Sequence, residues 1–272
     1  MLKVLKKSKL KDFFRGLFRN KKRERQFSEQ SRKLIDEAVR KEKKFLADSL
    51  ADIAHQLRTP LTSANLILAL LEKTDDSPDN TDKQELIGEL EMLLVRMDWL
   101  ITALLKMARL ESGVALFMNE KFVVKDLIQM SLRPLAIPIE LAGVQVYVDV
   151  PEHIRLIGDK GWLSEAIVNI LKNCVESVAN SDKAREIVIS CSANLLYTEI
   201  VIRDSGAGFS EANLPHIFER FYTSKTKANS YGIGLALAQM IVTQQGGSLT
   251  AQNAPASSGG GAIFFMRINK LK

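Results

Sequence analysis

No apolar run in the 272-residue sequence approaches the roughly 18–20 residues that a membrane-spanning helix requires, and no signal-peptide pattern opens it. The expectation is a soluble or peripheral protein. Cysteine is scarce: Cys174 and Cys191 are the only two, without metal-ligand spacing, in a helical and a strand-like apolar pattern respectively. That usage argues against a disulfide framework and for structural thiols in a reducing compartment. No internal repeat is visible. What remains is an ordinary globular composition, 46% hydrophobic and 26% charged, in a chain long enough for two small domains, each with its own core.

The net charge of +6 conceals an asymmetry. Residues 1–44 hold 17 Lys or Arg against 6 Asp or Glu, a net of +11, so the remainder carries 6 − 11 = −5. Within this arm Leu10, Phe13, Phe14, Leu17 and Phe18 recur at helical spacing among lysines and arginines. An amphipathic helix lying on an anionic membrane surface is written this way. The preferred reading of residues 1–25 is therefore peripheral membrane contact. A plain extension of the coiled coil ranks second and nucleic-acid binding last, so no nucleic acid is expected among the partners. The expected location is the cytoplasm, at the inner face of the membrane if the arm docks there.

Three regions follow from patterning: a basic arm over residues 1–40, a helical domain over 41–114, and a mixed domain over 115–272. Residues 27–73 read as one long helix. The run Thr74-Asp-Asp-Ser-Pro-Asp-Asn80 reads as a turn. A second helix spans about 82–111, with Leu86, Leu90, Leu93, Leu94, Met97, Leu100, Ile101, Leu104 and Leu105 as its apolar stripe and Ser112-Gly113 as its stop. Such a hairpin cannot cover both stripes alone. Pairing two copies into a four-helix bundle does, so a homodimer is expected. After Gly113, short strand-like runs at 122–124, 144–150, 187–193, 196–202, 248–252 and 262–268 alternate with helical runs at 124–141, 159–179 and 234–245. This predicts an α+β sandwich, a mixed sheet with helices on one face. Ser257-Ser-Gly-Gly-Gly261 reads as a flexible hairpin loop.

Within the first helix, Leu46, Leu50, Ile53 and Leu57 form a seam. At 100° per residue, His55 projects roughly 170° from the centre of that seam, with Thr59 about 40° from His55 and Pro60 next. A packed core histidine would lie on the seam. A merely solvated histidine on a charged face remains the commoner case for any single histidine.

In the helix 162–178, Leu163, Ile167, Ile170, Leu171, Cys174 and Val178 define a buried face, and Asn169, Asn173 and Glu176 fall on the opposite one. Asparagine is a mediocre helix former, and carbonyl oxygens on one face can ligand Mg²⁺ together with phosphate and water. Simple solvation is the bland alternative. Asp204-Ser-Gly206-Ala-Gly208 follows a strand. Its carboxylate could accept from an exocyclic amine such as that of adenine, although Asp-Ser-Gly also serves as an ordinary turn. Tyr231-Gly232-Ile-Gly234-Leu235 precedes a helix, where free N–H groups bind phosphate. Between them, Ile217-Phe218-Glu-Arg220-Phe221-Tyr-Thr-Ser-Lys225 reads as a mobile lid whose Arg220 or Lys225 could meet a γ-phosphate, or as a loop that its phenylalanines anchor.

Taken in order, these segments resemble the transmitter region of sensor histidine kinases over about residues 40–270. The His55-Gln-Leu-Arg-Thr-Pro-Leu61 stretch resembles the H box and Asn169-Ile-Leu-Lys-Asn173 the N box. Asp204–Gly208 resembles the first glycine box, Ile217–Tyr222 the aromatic box and Gly232-Ile-Gly-Leu235 the second glycine box. The resemblance implies a dimerisation and phosphoacceptor bundle followed by a Bergerat-type ATP-binding domain, with ATP and Mg²⁺ as cofactors. By the same resemblance His55 is the nucleophile that takes the γ-phosphoryl group and passes it to an aspartate on a response-regulator receiver domain. Asn173, with Asn169 beside it, would hold Mg²⁺. Asp204 would read adenine, Gly232/Gly234 would cradle phosphate, and Thr59 would help place water for dephosphorylating the regulator. Two positions depart from the pattern. Gln56 stands where many members carry an acid, and an amide cannot take the imidazole proton. Glu176 stands where many place a lysine. The expected function is an ATP-dependent protein-histidine kinase that also acts as the regulator's phosphatase. The alternatives are an autokinase-impaired phosphatase or scaffold, and an ATPase of the chaperone or mismatch-repair kind.

Overall fold

The computed structural model describes residues 53–54, 56–72, 81–179, 184–223, 232–255 and 259–270. The basic arm, His55, the 74–80 turn and Lys225 lie outside the described residues. The chain divides into two units, residues 1–66 and 67–272. Among the described residues no helix is long and apolar enough to cross a membrane.

Helix α1 is helical at residues 53–54 and 56–71. It continues through Pro60, which has no N–H to donate to the Gln56 carbonyl. Two residues on, Thr62 Oγ1 donates to the Arg58 carbonyl at 2.8 Å. Helix α2 (Thr81–Glu111) runs for 31 residues. It stops where Gly113 takes φ 67°, the left-handed geometry that glycine accepts without steric cost. The apolar residues of α2 lie on two faces. Leu100, Ala103, Met107 and Leu110 are buried, whereas Ile87, Leu94, Ile101 and Leu105 remain 41–58% exposed.

The remainder is a five-stranded sheet with helices on one side and a separate two-stranded ribbon. A two-stranded ribbon pairs β1 (Glu120–Val123) with β3 (Arg155–Gly158). The main sheet holds β2 (Gln145–Asp149), β4 (Glu186–Ala193), β5 (Tyr197–Asp204), β6 (Gly247–Asn253) and β7 (Ala262–Asn269) in the order β2-β4-β5-β7-β6. Only β2 and β4 run parallel, and the connection between them carries β3 and helix α5 (Lys160–Ala179). Strand alternation decides which face the helices cover. Thr198, Ile200, Ile202 and Asp204 of β5 are buried, as are Ile187, Ile189 and Cys191 of β4 and Phe264, Met266 and Ile268 of β7. The alternate residues face outward, where Arg267 pairs with Glu199 and lies 5.1 Å from the Tyr197 ring. Against the buried face pack α5, through Leu163, Ile167, Ile170, Leu171, Cys174 and Val178, and helix α6 (Gly234–Gln244), through Leu237, Ala238, Ile241 and Val242. Burial, with Glu199 adding to it, pushes the Cys191 thiol up to about 11. It therefore stays protonated at neutral pH, as a structural thiol should.

Two expectations change. The helical run expected over 124–141 is broken into α3 (Val124–Leu132), a tight turn at Arg133–Leu135 and α4 (Ala136–Leu141). Pro134 and Pro138 withhold N–H donors there. Strand β3 was not expected. At four residues, with only Leu156 and Gly158 facing in, it is too short to show a period.

Candidate functional site

The polar edge of α5, the loop after β5, the 217–223 segment and the start of α6 surround a cavity of about 820 Å³. Its walls bring together Asn169, Asn173, Gly208, Gly232, Gly234 and Leu235. Asn169 does not lie on a solvated face, as a simple two-faced helix would place it; it is 4% exposed. The first turn of α6 crosses over α5 here, and a Cβ on Gly234 would stand 3.3 Å from Asn169 Oδ1. The Asn169 amide donates to the Glu165 carbonyl at 3.0 Å, which directs its oxygen away from the helix backbone. Among the described residues no side chain caps the start of α6, whose first turn, with Gly234 and Leu235, lines the cavity, and the first N–H groups of a helix have no partner within it.

Asp204, 1% exposed, is not itself a wall residue but lies directly behind Ala262, which is. Its Oδ1 accepts from the N–H of Gly206 at 2.8 Å and from the N–H of Ala262 at 3.2 Å. Gly206 presses on α5: a Cβ there would lie 2.1 Å from Ser177 Oγ. Three contributors escaped the sequence reading. A Cβ on Gly261 would lie 1.9 Å from the Asp204 carbonyl oxygen, so the last glycine of the expected flexible loop is a fixed neighbour of the carboxylate. Ala262 supplies a donor to that carboxylate. Asn253 locks the loop by accepting from the Phe209 N–H at 2.8 Å and donating to the Phe209 carbonyl at 2.6 Å. A run of glycines was the only available signal.

The 217–223 segment is tied at its neck. The Phe221 N–H donates to the Gly232 carbonyl at 3.0 Å. Gly232 has φ 66°, and a Cβ there would meet the backbone of Phe221 and Tyr222 at 2.5–2.6 Å. Phe221 itself takes φ 60°, unique among the described non-glycine residues. Such a conformation costs about 1–3 kcal/mol and persists only where its surroundings enforce it. Arg220 does not line the cavity. Its guanidinium pairs with Glu111 at the end of α2 and approaches Met240 Sδ at 3.5 Å. In the first unit, Gln56 is half-buried and Thr59 exposed, on successive turns of α1.

Helix α2 meets α5 at two points. Lys106 pairs with Glu165 at 2.9 Å, and the Lys172 ammonium lies 5.6 Å from the centre of the Trp99 ring. Arg96, Lys172 and Glu176 are the charged residues among the cavity's described walls. No group of three or more His, Cys, Asp or Glu capable of holding a metal occurs among the described residues. The oxygens of Asn169, Asn173 and Glu176 nonetheless suit Mg²⁺, which keeps waters and phosphates as most of its ligands.

The family model for the His Kinase A phospho-acceptor domain matches residues 45–113, and that for histidine kinase-, DNA gyrase B- and HSP90-like ATPases matches residues 158–272. The chain belongs to the sensor histidine kinases, as their transmitter region. The sensor protein SphS of Synechococcus elongatus is 30% identical over 236 residues, 77% of this chain and 52% of SphS. The chain spans about half the length of the curated relatives it matches. In fold, this transmitter resembles the Acinetobacter baumannii histidine kinase AdeS, with a TM-score of 0.63 at 20% identity over 80% of this chain and 98% of that one. It also resembles the histidine kinase ThkA, solved in complex with the response regulator TrrA, with a TM-score of 0.67 at 19% identity over 85% of this chain and 64% of that one. The ATPase domain match implies a capacity to bind ATP with Mg²⁺.

Proposed function

We propose that this transmitter is an ATP-dependent protein-histidine kinase whose phosphoacceptor is His55. The observation that carries the reading is one cavity whose walls bring Asn169 and Asn173 together with the uncapped start of α6, with the buried Asp204 directly behind the wall residue Ala262, whose N–H it accepts. That arrangement matches the polarity of a nucleotide. An adenine amine would donate to the Asp204 carboxylate. The phosphates would accept from N–H groups around Gly232, Gly234 and Leu235, with Gly206 and Gly208 allowing close approach of the loop. Asn173, with Asn169 beside it, would hold Mg²⁺, whose chemistry when bound is neutralisation of phosphate charge.

In the proposed step a ring nitrogen of His55 attacks the γ-phosphorus. The bond from that phosphorus to the bridging oxygen breaks, ADP leaves, and the ring gives up its other N–H proton. Arg220 is assigned to the γ-phosphate together with Lys225, which requires Arg220 to exchange Glu111 for phosphate. The phosphoryl group then passes to an aspartate of a response-regulator receiver domain. The reported ThkA–TrrA complex supports that class of partner. Thr59, one turn beyond His55, is assigned to positioning water when the same protein dephosphorylates the regulator. The exposed stripe Ile87, Leu94, Ile101 and Leu105 supports a homodimeric four-helix bundle. We place the protein in the cytoplasm, with residues 1–25 against the inner face of the membrane.

Incubation with γ-labelled ATP tests the assignment. Acid-labile label should appear on the wild-type chain and vanish in His55→Ala, with nucleotide binding retained. Label that persists in His55→Ala, or steady ATP hydrolysis indifferent to that substitution, would overturn it.

A further inference from the structure

Resting on the reading of the cavity as a nucleotide site, we infer that the site extends onto the helical hairpin: Arg96 of α2 is a nucleotide-phosphate ligand, and the ATP-binding domain is incomplete without it. At 100° per residue, Val95, Arg96, Trp99 and Lys106 all project to one side of α2. Lys106 and Trp99 hold that side against α5 through Glu165 and Lys172. One turn further toward the start of α2 the same side reaches the cavity, which Val95, Arg96 and Trp99 line together with Asn173.

Charge selects Arg96 for the role. A di- or triphosphate brings several negative charges, and Glu176, which also lines the cavity, adds another. Lys172 is placed against the Trp99 ring, which draws its ammonium toward an aromatic face. Arg96 is the second cation of the described walls, and it too is engaged within the protein, so phosphate would have to displace that contact. Its planar fork can engage two phosphate oxygens at once, and its charge persists at any physiological pH. Half-burial strengthens such a pair relative to one in open water. This assignment compensates the acidic residue at 176 from a helix outside the ATP-binding domain.

Calorimetric titration of the full chain with Mg²⁺ and a non-hydrolysable ATP analogue tests it, using wild type, Arg96→Ala and Arg96→Lys at low and physiological salt. Arg96→Ala should weaken binding about tenfold, the scale of one lost charged hydrogen bond, and flatten its salt dependence. Arg96→Lys should fall between. Affinity of Arg96→Ala within twofold of wild type would overturn the inference, as would weaker binding with unchanged salt dependence, which marks a structural fault. If Arg96→Ala does not fold, Arg96→Lys decides, because loss of the fork with retention of charge must still weaken binding. A wild-type chain that binds no nucleotide would sink the nucleotide reading itself, which is a different outcome.

Discussion

An imidazole that accepts a phosphoryl group must shed a ring proton, so the residue following the proposed nucleophile sets how that proton leaves. Gln56 can accept a hydrogen bond from the ring and fix its orientation, but its amide cannot carry the proton away. An acid there would do both. Gln56→Glu should therefore raise the initial rate of acid-labile labelling by about 10- to 100-fold without changing affinity for the ATP analogue. An unchanged rate would mean that another base already serves. Much of the site was legible at this scale. Asn169, Asn173, Gly232 and Gly234 were read from short spacings along one helix or one turn, and they meet in one cavity. What was not legible comes from far along the chain. Gly261, Ala262 and Asn253 reach Asp204 and Phe209 only because β7 folds back beside β5 and β6 pairs with β7. The Arg220–Glu111 pair spans 109 residues, so no local pattern could have signalled that Arg220 turns away from the cavity.

Helix α2 shows why the fold was read better than its energetics. Its length and its glycine stop follow from periodicity and turn chemistry, whereas its apolar residues read as a single stripe. They serve two surfaces, a buried one through Leu100, Ala103, Met107 and Leu110 and an exposed one through Ile87, Leu94, Ile101 and Leu105. Only packing distinguishes the two, and packing is a tertiary property. The α3–α4 break was open to reading from Pro134 and Pro138, which lie within the run taken as one helix. If the exposed stripe is the proposed dimer seam, each Leu or Ile it covers contributes roughly 1 kcal/mol, since about half of its surface is open before association. Placing carboxylates at two of these positions, Leu94→Asp with Ile101→Asp, puts like charges into the seam of both copies. Light scattering should then report a monomer where the wild type reports a dimer, while affinity for the ATP analogue stays unchanged. A double variant that remains dimeric would place the dimer contact elsewhere.

At the scale of the whole molecule, the charge is as divided as the fold. Residues 1–25 contain 11 Lys or Arg and 2 Asp or Glu, and they interleave leucines and phenylalanines with the basic positions. Each basic residue brought near an anionic leaflet contributes about 1 kcal/mol, within a screening length of about 8 Å at physiological salt. Apolar side chains set into the headgroup boundary add to this. If the arm docks as proposed, the two contributions add, and the electrostatic one makes the binding reversible by salt. The full chain should co-sediment with phosphatidylserine-containing vesicles, ignore purely zwitterionic ones, and be released at high salt. A chain lacking residues 1–25 should stay in the supernatant while autophosphorylating at the wild-type rate, because the proposed nucleotide site and phosphoacceptor lie wholly outside the arm. Co-sedimentation that survives the deletion would remove the arm from the membrane. The coiled-coil reading would then stand in its place, and its mark would be a loss of dimer stability in the same truncated chain.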